Sequence, residues 1–143
     1  MNLVDANVLL YAVNSDAQHH ERSRRWLDGA LSGGETVAFA WVALLAFVRL
    51  ATRDGLFESP LTLEGAMDRV DAWLSAPPAV VVQPSVDHAR LVRALLGPIS
   101  TAGNLVNDAH LAALAIENRC GIVSFDNDFS RFDGVAWRVP GES

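Results

Sequence analysis

The sequence predicts an α/β fold in which a five-stranded parallel sheet is flanked by helices on both faces. Two observations carry that expectation. Short apolar runs of strand length alternate with amphipathic helical segments along the whole chain, and acidic residues fall where the apolar runs end. In such sheets functional groups gather beyond the carboxyl ends of the strands. With 143 residues, half of them apolar, the chain has the length and core material of a single domain spanning residues 1–143.

Leu3-Val4 reads as a short buried strand, and Asp5-Ala6-Asn7 turns it into a helix carrying Val8, Leu9, Leu10 and Ala12, so Asp5 lies at a strand's carboxyl end. A second helix runs from about His19 to Leu31 and stops at Gly33-Gly34. Thr36 to Ala40 forms the second strand. Trp41 to Arg53 sets Leu44, Leu45, Val48 and Ala51 at helical spacing before Gly55 ends that helix. Leu63 to Leu74 is amphipathic, opened by a Thr62 cap and closed before Pro77-Pro78.

Val80 to Val82 supplies the third strand. Val86 to Leu96 forms a helix closed by Gly97-Pro98, and a loop follows through residues 100–104. Leu105 to Asn118 presents Leu111, Leu114 and Ala115 at helical intervals, and Gly121 then leads into the strand Ile122 to Phe125, ended by Asp126. Val135 to Val139 is the fifth strand.

The net charge is −6, which ordinarily argues against a nucleic-acid partner, yet several of those charges are aspartates that a bound cation would neutralise. All 11 basic residues are arginine, a bias that codon usage in a GC-rich genome explains. The absence of lysine excludes a Walker A loop and Schiff-base chemistry. Cys120 is alone and expected to pack inside at a helix end, so no internal disulfide forms and a reducing compartment fits. The longest uncharged apolar run, Val37 to Val48, is too short for a membrane span, and no basic leader opens the chain, so a cytoplasmic protein without a membrane partner is expected.

Asp5, Asp108, Asp126 and Asp128 all fall at element ends that should converge. Crowded carboxylates resist ionisation unless a cation neutralises them, and hard oxygen ligands select Mg²⁺ or Mn²⁺. Such a centre activates water for phosphodiester hydrolysis without a histidine or lysine base. Each acid also has an ordinary role: Asp5 as a helix cap, Asp108 as a first-turn acid, Asp126 and Asp128 as turn formers. Convergence is what favours the chemical reading.

Asn7 and Asn104 either orient a carboxylate or a metal-bound water, or serve as loop and cap residues. Ser124 either bonds an aspartate or finishes its strand. Arg49 and Arg53 either line the approach and hold phosphate or face solvent, and Arg22, Arg24 and Arg25 form either a surface basic patch or an ordinary solvated helix face. The four tryptophans are expected in core or interface rather than stacked on bases. His110 is expected to be structural, and His19, His20 and His88 lack the spacing of a zinc site. A metal-dependent phosphatase ranks last, because Asn7 breaks the usual Asp-x-Asp.

Leu-Val-Asp-Ala-Asn-Val-Leu-Leu at residues 3–10, Gly-Asn-Leu-Val-Asn-Asp-Ala-His-Leu-Ala-Ala-Leu at 103–114 and Ser-Phe-Asp-Asn-Asp-Phe at 124–129 together resemble PIN-domain ribonucleases, specifically VapC-type toxins. The resemblance extends over the whole chain, including residues 41–52. It implies a PIN-like sheet of five parallel strands, RNA cleavage dependent on Mg²⁺ or Mn²⁺, a cognate VapB-type antitoxin, a homodimer and a bacterial cytoplasm. By position, Asp5, Asp108 and Asp126 match the family's catalytic, metal-binding acids, and Asp128 an accessory catalytic acid. The family's usual glutamate on the helix after the second strand falls at Ala46, which motivates an alternative: a PIN-like domain that binds RNA or a partner without cutting. By the same resemblance an antitoxin segment is expected in a cleft between residues 41–53 and 63–74, touching Phe47, Leu50, Met67 and Trp73.

Overall fold

The computed structural model describes residues 1–99 and 103–142. Five strands, β1 (Asn2–Val4), β2 (Val37–Phe39), β3 (Ala79–Val81), β4 (Gly121–Val123) and β5 (Trp137–Arg138), pair in parallel in the order β3-β2-β1-β4-β5. The chain starts in the central strand, works outward through β2 and β3, and then crosses to β4 on the other side. That reversal of direction opens a crevice at the carboxyl end of β1.

Alternation along the strands divides the core. Leu3, Ala38 and Ile122 face one cluster with Leu95, Leu105, Leu111 and Leu114, whereas Val4, Val37, Phe39 and Val123 face another with Leu27, Leu44, Phe47 and Val70. The first face is covered by α5 (His88–Leu96) and α6 (Val106–Glu117), the second by α1 (Ala6–Val13), α2 (His20–Leu31), α3 (Trp41–Thr52) and α4 (Leu63–Ser75). The expected helix-covered parallel sheet is therefore present. No helix among the described residues is long and apolar enough to cross a membrane.

Element ends follow local hydrogen bonding. Thr62 caps α4 as expected, its Oγ1 accepting from Gly65 N at 3.0 Å. The helix expected from Val86 starts at His88, because Ser85 Oγ accepts from Asp87 N at 3.1 Å and holds a turn that leaves Val86 exposed. The fourth strand ends at Val123 rather than Phe125. There Ser124 Oγ accepts from Asp126 N and Asp126 Oδ1 from Asp128 N, each at 2.9 Å, so side chains take the donors that a longer ladder would use. Part of the expected loop, residues 100–102, lies outside the described residues; Gly103–Leu105 is a 3-10 turn.

Of the four residues expected in a cleft between residues 41–53 and 63–74, Leu50 and Met67 are half-buried and the two aromatic ones lie inside. Phe47 and Trp73 are buried, with ring centroids 4.8 Å apart in an edge-on contact, and Leu50 packs against the same core. Both rings bury more apolar area by meeting each other than a polar surface would allow. Cys120, expected inside, is only half-buried where the chain leaves α6, and that burial pushes its thiol upward.

Candidate active site

Asp5 directly follows β1. Its backbone N–H still donates to Val123 O at 3.0 Å, while its side chain turns into the start of α1, with Oδ1 accepting from Ala6 N at 2.7 Å. The residue is thus a helix cap, but its second oxygen is held from across the sheet. Ser124 Oγ donates to Asp5 Oδ2 at 2.7 Å, and Asn7 Nδ2 reaches Ser124 Oγ at 3.1 Å and Asp5 Oδ2 at 3.4 Å. Asn7 Oδ1 accepts from Phe125 N at 3.2 Å, tying the α1 start to the segment after β4. Ser124 is fully buried and Asp5 nearly so.

Asp108 projects from the first turn of α6, and Asp126 and Asp128 come from the turn after β4, where Asn127–Arg131 forms a second 3-10 turn. Each of these three acids offers a carboxylate oxygen, and those oxygens lie within 4.8 Å of one another; no other such group of candidate ligands is found among the described residues. Asp5 stands beside the trio, held by Ser124.

Mutual repulsion is visible in the proton affinities. Asp108 is pushed up to about 7, chiefly by burial and then by the charges of Asp126, Asp5 and Asp128. Asp5 is raised as well, burial outweighing the lowering by its bonds from Ser124 and Ala6. Hard, mutually repelling oxygen donors at this spacing fit a divalent cation of the Mg²⁺ or Mn²⁺ kind.

Two cavities border the acids. One, of about 310 Å³, lies between α3 and α6 and is lined by Asp5, Asp108, Asn107, Ala46 and Arg49 among others. The second, of about 330 Å³, is lined by Asn104, Asp128 and Arg131. Arg49 and Asn104 therefore both border the acid site; Asn107 and Arg131, which no motif in the sequence singles out, do so too. The i, i+3 spacing of Asp128 and Arg131, now seen as a 3.8 Å ion pair, was the available signal. A larger cavity of about 410 Å³, near Arg25, Trp26 and Arg138, contains none of the candidate acids.

Arg22, Arg24 and Arg25 do not form an open basic patch. Arg22 donates to Pro140 O at 2.8 Å, and Arg24 and Arg25 lie 3.0 and 3.7 Å from Glu21. His88 and His110 are partners: His88 Nε2 lies 2.7 Å from His110 Nδ1, and His88 Nδ1 lies 2.9 Å from Glu117 Oε1.

A family model described as the PIN domain matches residues 3–135. Ribonuclease VapC37 of Mycobacterium tuberculosis is 61% identical over 140 residues, covering 98% of this chain and 97% of that protein. Ribonuclease VapC43 of the same species is 36% identical over 140 residues, with 98% and 95% covered. Among solved structures, VapBC2 from Rickettsia felis bound to a promoter DNA fragment has a TM-score of 0.71 at 17% identity, covering 96% of this chain and 97% of that chain. FitAcB from Neisseria gonorrhoeae has a TM-score of 0.66 at 22% identity, with 98% of each chain covered. Those two structures bear on the fold alone.

Proposed function

The chain belongs to the PIN domain family, and on that premise we propose that it is an endoribonuclease toxin of a toxin–antitoxin pair, hydrolysing RNA at a centre built on Asp108, Asp126 and Asp128 with Asp5 beside them. The single observation that carries the site is the convergence of three carboxylates from α6 and the turn after β4 on the carboxyl end of β1. Its relatives at 61% and 36% identity are named ribonucleases over nearly their full lengths, which disfavours a non-cleaving RNA- or partner-binding domain.

Asp108, Asp126 and Asp128 would hold the cation, Mg²⁺ or Mn²⁺, and Asp5 stands beside them with its carboxylate fixed by Ser124 and Asn7. A bound divalent cation supplies a water of lowered pKa and neutralises charge on the phosphate oxygens. Asp5 orients the attacking water, because Ser124 and Ala6 leave its carboxylate little freedom to turn away. Arg49 and Arg131, at the two bordering cavities, meet the phosphates on either side of the scissile one. The products are a phosphate monoester and a hydroxyl.

The partner is a VapB-type antitoxin, in keeping with the toxin–antitoxin complexes that share the fold. A homodimer and a bacterial cytoplasmic location belong to the same reading. The test is cleavage of RNA with Mn²⁺ present: loss in EDTA and in Asp126→Asn is expected, and cleavage that persists in both would overturn the proposal.

A further inference from the structure

The cavity of about 410 Å³ lies at the opposite end of the sheet from the acids. Asn2, which opens β1, lines it together with Arg25, Trp26 and Gly29 of α2 and Arg138 of β5. Trp26 is half-buried, packed against the core on the α2 side while also bordering the cavity. Both guanidiniums keep donors to spare. Arg138 is exposed, donates to Asn2 Oδ1 at 3.1 Å and forms no ion pair among the described residues. Arg25, with a side chain 79% exposed, has only a loose 3.7 Å contact with Glu21. Glu35 adds a carboxylate to the lining.

Gly29 lies inside α2, where glycine costs helix stability, its φ is not positive, and a Cβ added to it would meet no atom within 4 Å. Neither backbone conformation nor packing within the chain calls for glycine there; the missing side chain leaves the cavity open. An indole face, two guanidiniums, a carboxylate and an open floor match the parts of a nucleotide. A base stacks on an aromatic ring, a phosphate takes forked N–H donors, and a carboxylate accepts from an amino group on the base edge. We propose that this cavity binds a free mononucleotide whose base carries an exocyclic amino group. The base lies on Trp26 with its amino group on Glu35, and the phosphate pairs with Arg25 and Arg138. The volume suits a ligand of that size. The site is separate from the acids and does not depend on the endoribonuclease reading.

Isothermal titration calorimetry of the full chain with AMP tests the site, run in EDTA so that no metal bridges the phosphate to the acids. Arg25→Gln, Arg138→Gln and Trp26→Leu are each expected to weaken AMP binding about tenfold. Gly29→Gln puts a side chain into the cavity and weakens binding at least as much. Its nucleotide-free form melts no lower than the parent, because glutamine is the better helix former, so this loss is not a folding defect. UMP, which lacks the amino group, binds about tenfold more weakly than AMP, and Glu35→Ala removes most of that difference. Arg25, Trp26, Gly29, Glu35 and Arg138 lie outside both cavities that border the acids, so RNA cleavage with Mn²⁺ and no added nucleotide stays at the parent rate in these variants.

The proposal is overturned if AMP does not bind, or binds with unchanged affinity in Gly29→Gln and Arg138→Gln. Loss of AMP binding in Asp108→Asn also overturns it, because the nucleotide then sits at the acids. A labelled oligoribonucleotide separates a free nucleotide from one within a strand. If Gly29→Gln and Arg138→Gln weaken the strand in a chain that does not take up AMP, the cavity belongs to the RNA path and the free-nucleotide site falls.

Discussion

Ser124 Oγ donates to Asp5 Oδ2 at 2.7 Å, joining residues 119 positions apart through a bond buried at the carboxyl edge of the sheet. The same oxygen accepts from Asp126 N at 2.9 Å, so one hydroxyl sets both the Asp5 carboxylate and the turn that carries Asp126 and Asp128. Ser124→Ala is expected to lower divalent-cation affinity about tenfold, as loss of an orienting hydrogen bond does at other metal sites. Ser124→Thr keeps the hydroxyl and should restore most of it. Calorimetric titration with Mn²⁺ checks both; equal affinities in parent and Ser124→Ala contradict the role.

Asp108 and Asp126 stand in the same trio but on different elements, so their substitutions need not act alike on folding. Asp108→Asn removes one of three converging carboxylates and, with it, the repulsion acting on Asp126 and Asp5. RNA cleavage should fall by at least about 100-fold, the scale on which lost electrostatic stabilisation appears in rate, while the metal-free protein becomes more heat-stable. Asp126→Asn should lose cleavage by a similar factor. Its gain in stability is smaller, because Asp126 Oδ1 also accepts from Asp128 N at 2.9 Å. Equal cleavage by parent and Asp108→Asn removes that acid from the centre.

The raised acids give the metal-free protein a definite pH dependence. Asp108 is pushed up to about 7 and Asp5 is raised too, both chiefly by burial. Each binds its proton more tightly folded than unfolded. The stability they contribute is present below the ordinary carboxylate range and is lost as pH rises through the folded values. In EDTA the melting temperature should therefore fall between about pH 5 and about pH 8, and Asp108→Asn or saturating Mn²⁺ should flatten the fall. A melting temperature that climbs over that interval contradicts the assignment.

Asp5 was legible in the sequence because an apolar run, an aspartate and a helix start occupy consecutive positions, and that local order decides where the side chain goes. Thr62 was legible for the same reason. Phe47 and Trp73 were not, since helical spacing marks both as apolar but carries no information about which pair meets across α3 and α4. Ser124 lay between. Its strand-end position was readable, but its partner comes from the other end of the chain. The grouping of Asp128 with Asp108 and Asp126, closer than an accessory place suggested, depends on a side-chain-stabilised turn that replaces the last two residues expected in the fourth strand.

Glu117 is a carboxylate whose side chain is only 5% exposed, and His88 is its imidazole partner at 2.9 Å; Ser85 N and Oγ complete its shell at 3.3 and 3.0 Å. His88 Nδ1–H donates to Glu117, and His88 Nε2 and His110 Nδ1 share a further hydrogen bond at 2.7 Å in which one nitrogen donates and the other accepts. Burial, with the nearby His88, lowers the pKa of His110, which favours its neutral ring. His88→Ala leaves a buried carboxylate short of a donor and should cost about 1–3 kcal/mol in unfolding free energy. His110→Ala leaves only an imidazole nitrogen without its partner and should cost less. Urea melts of the two variants check the order; a larger loss in His110→Ala shows that packing between α5 and α6, rather than satisfaction of Glu117, is what His88 and His110 supply.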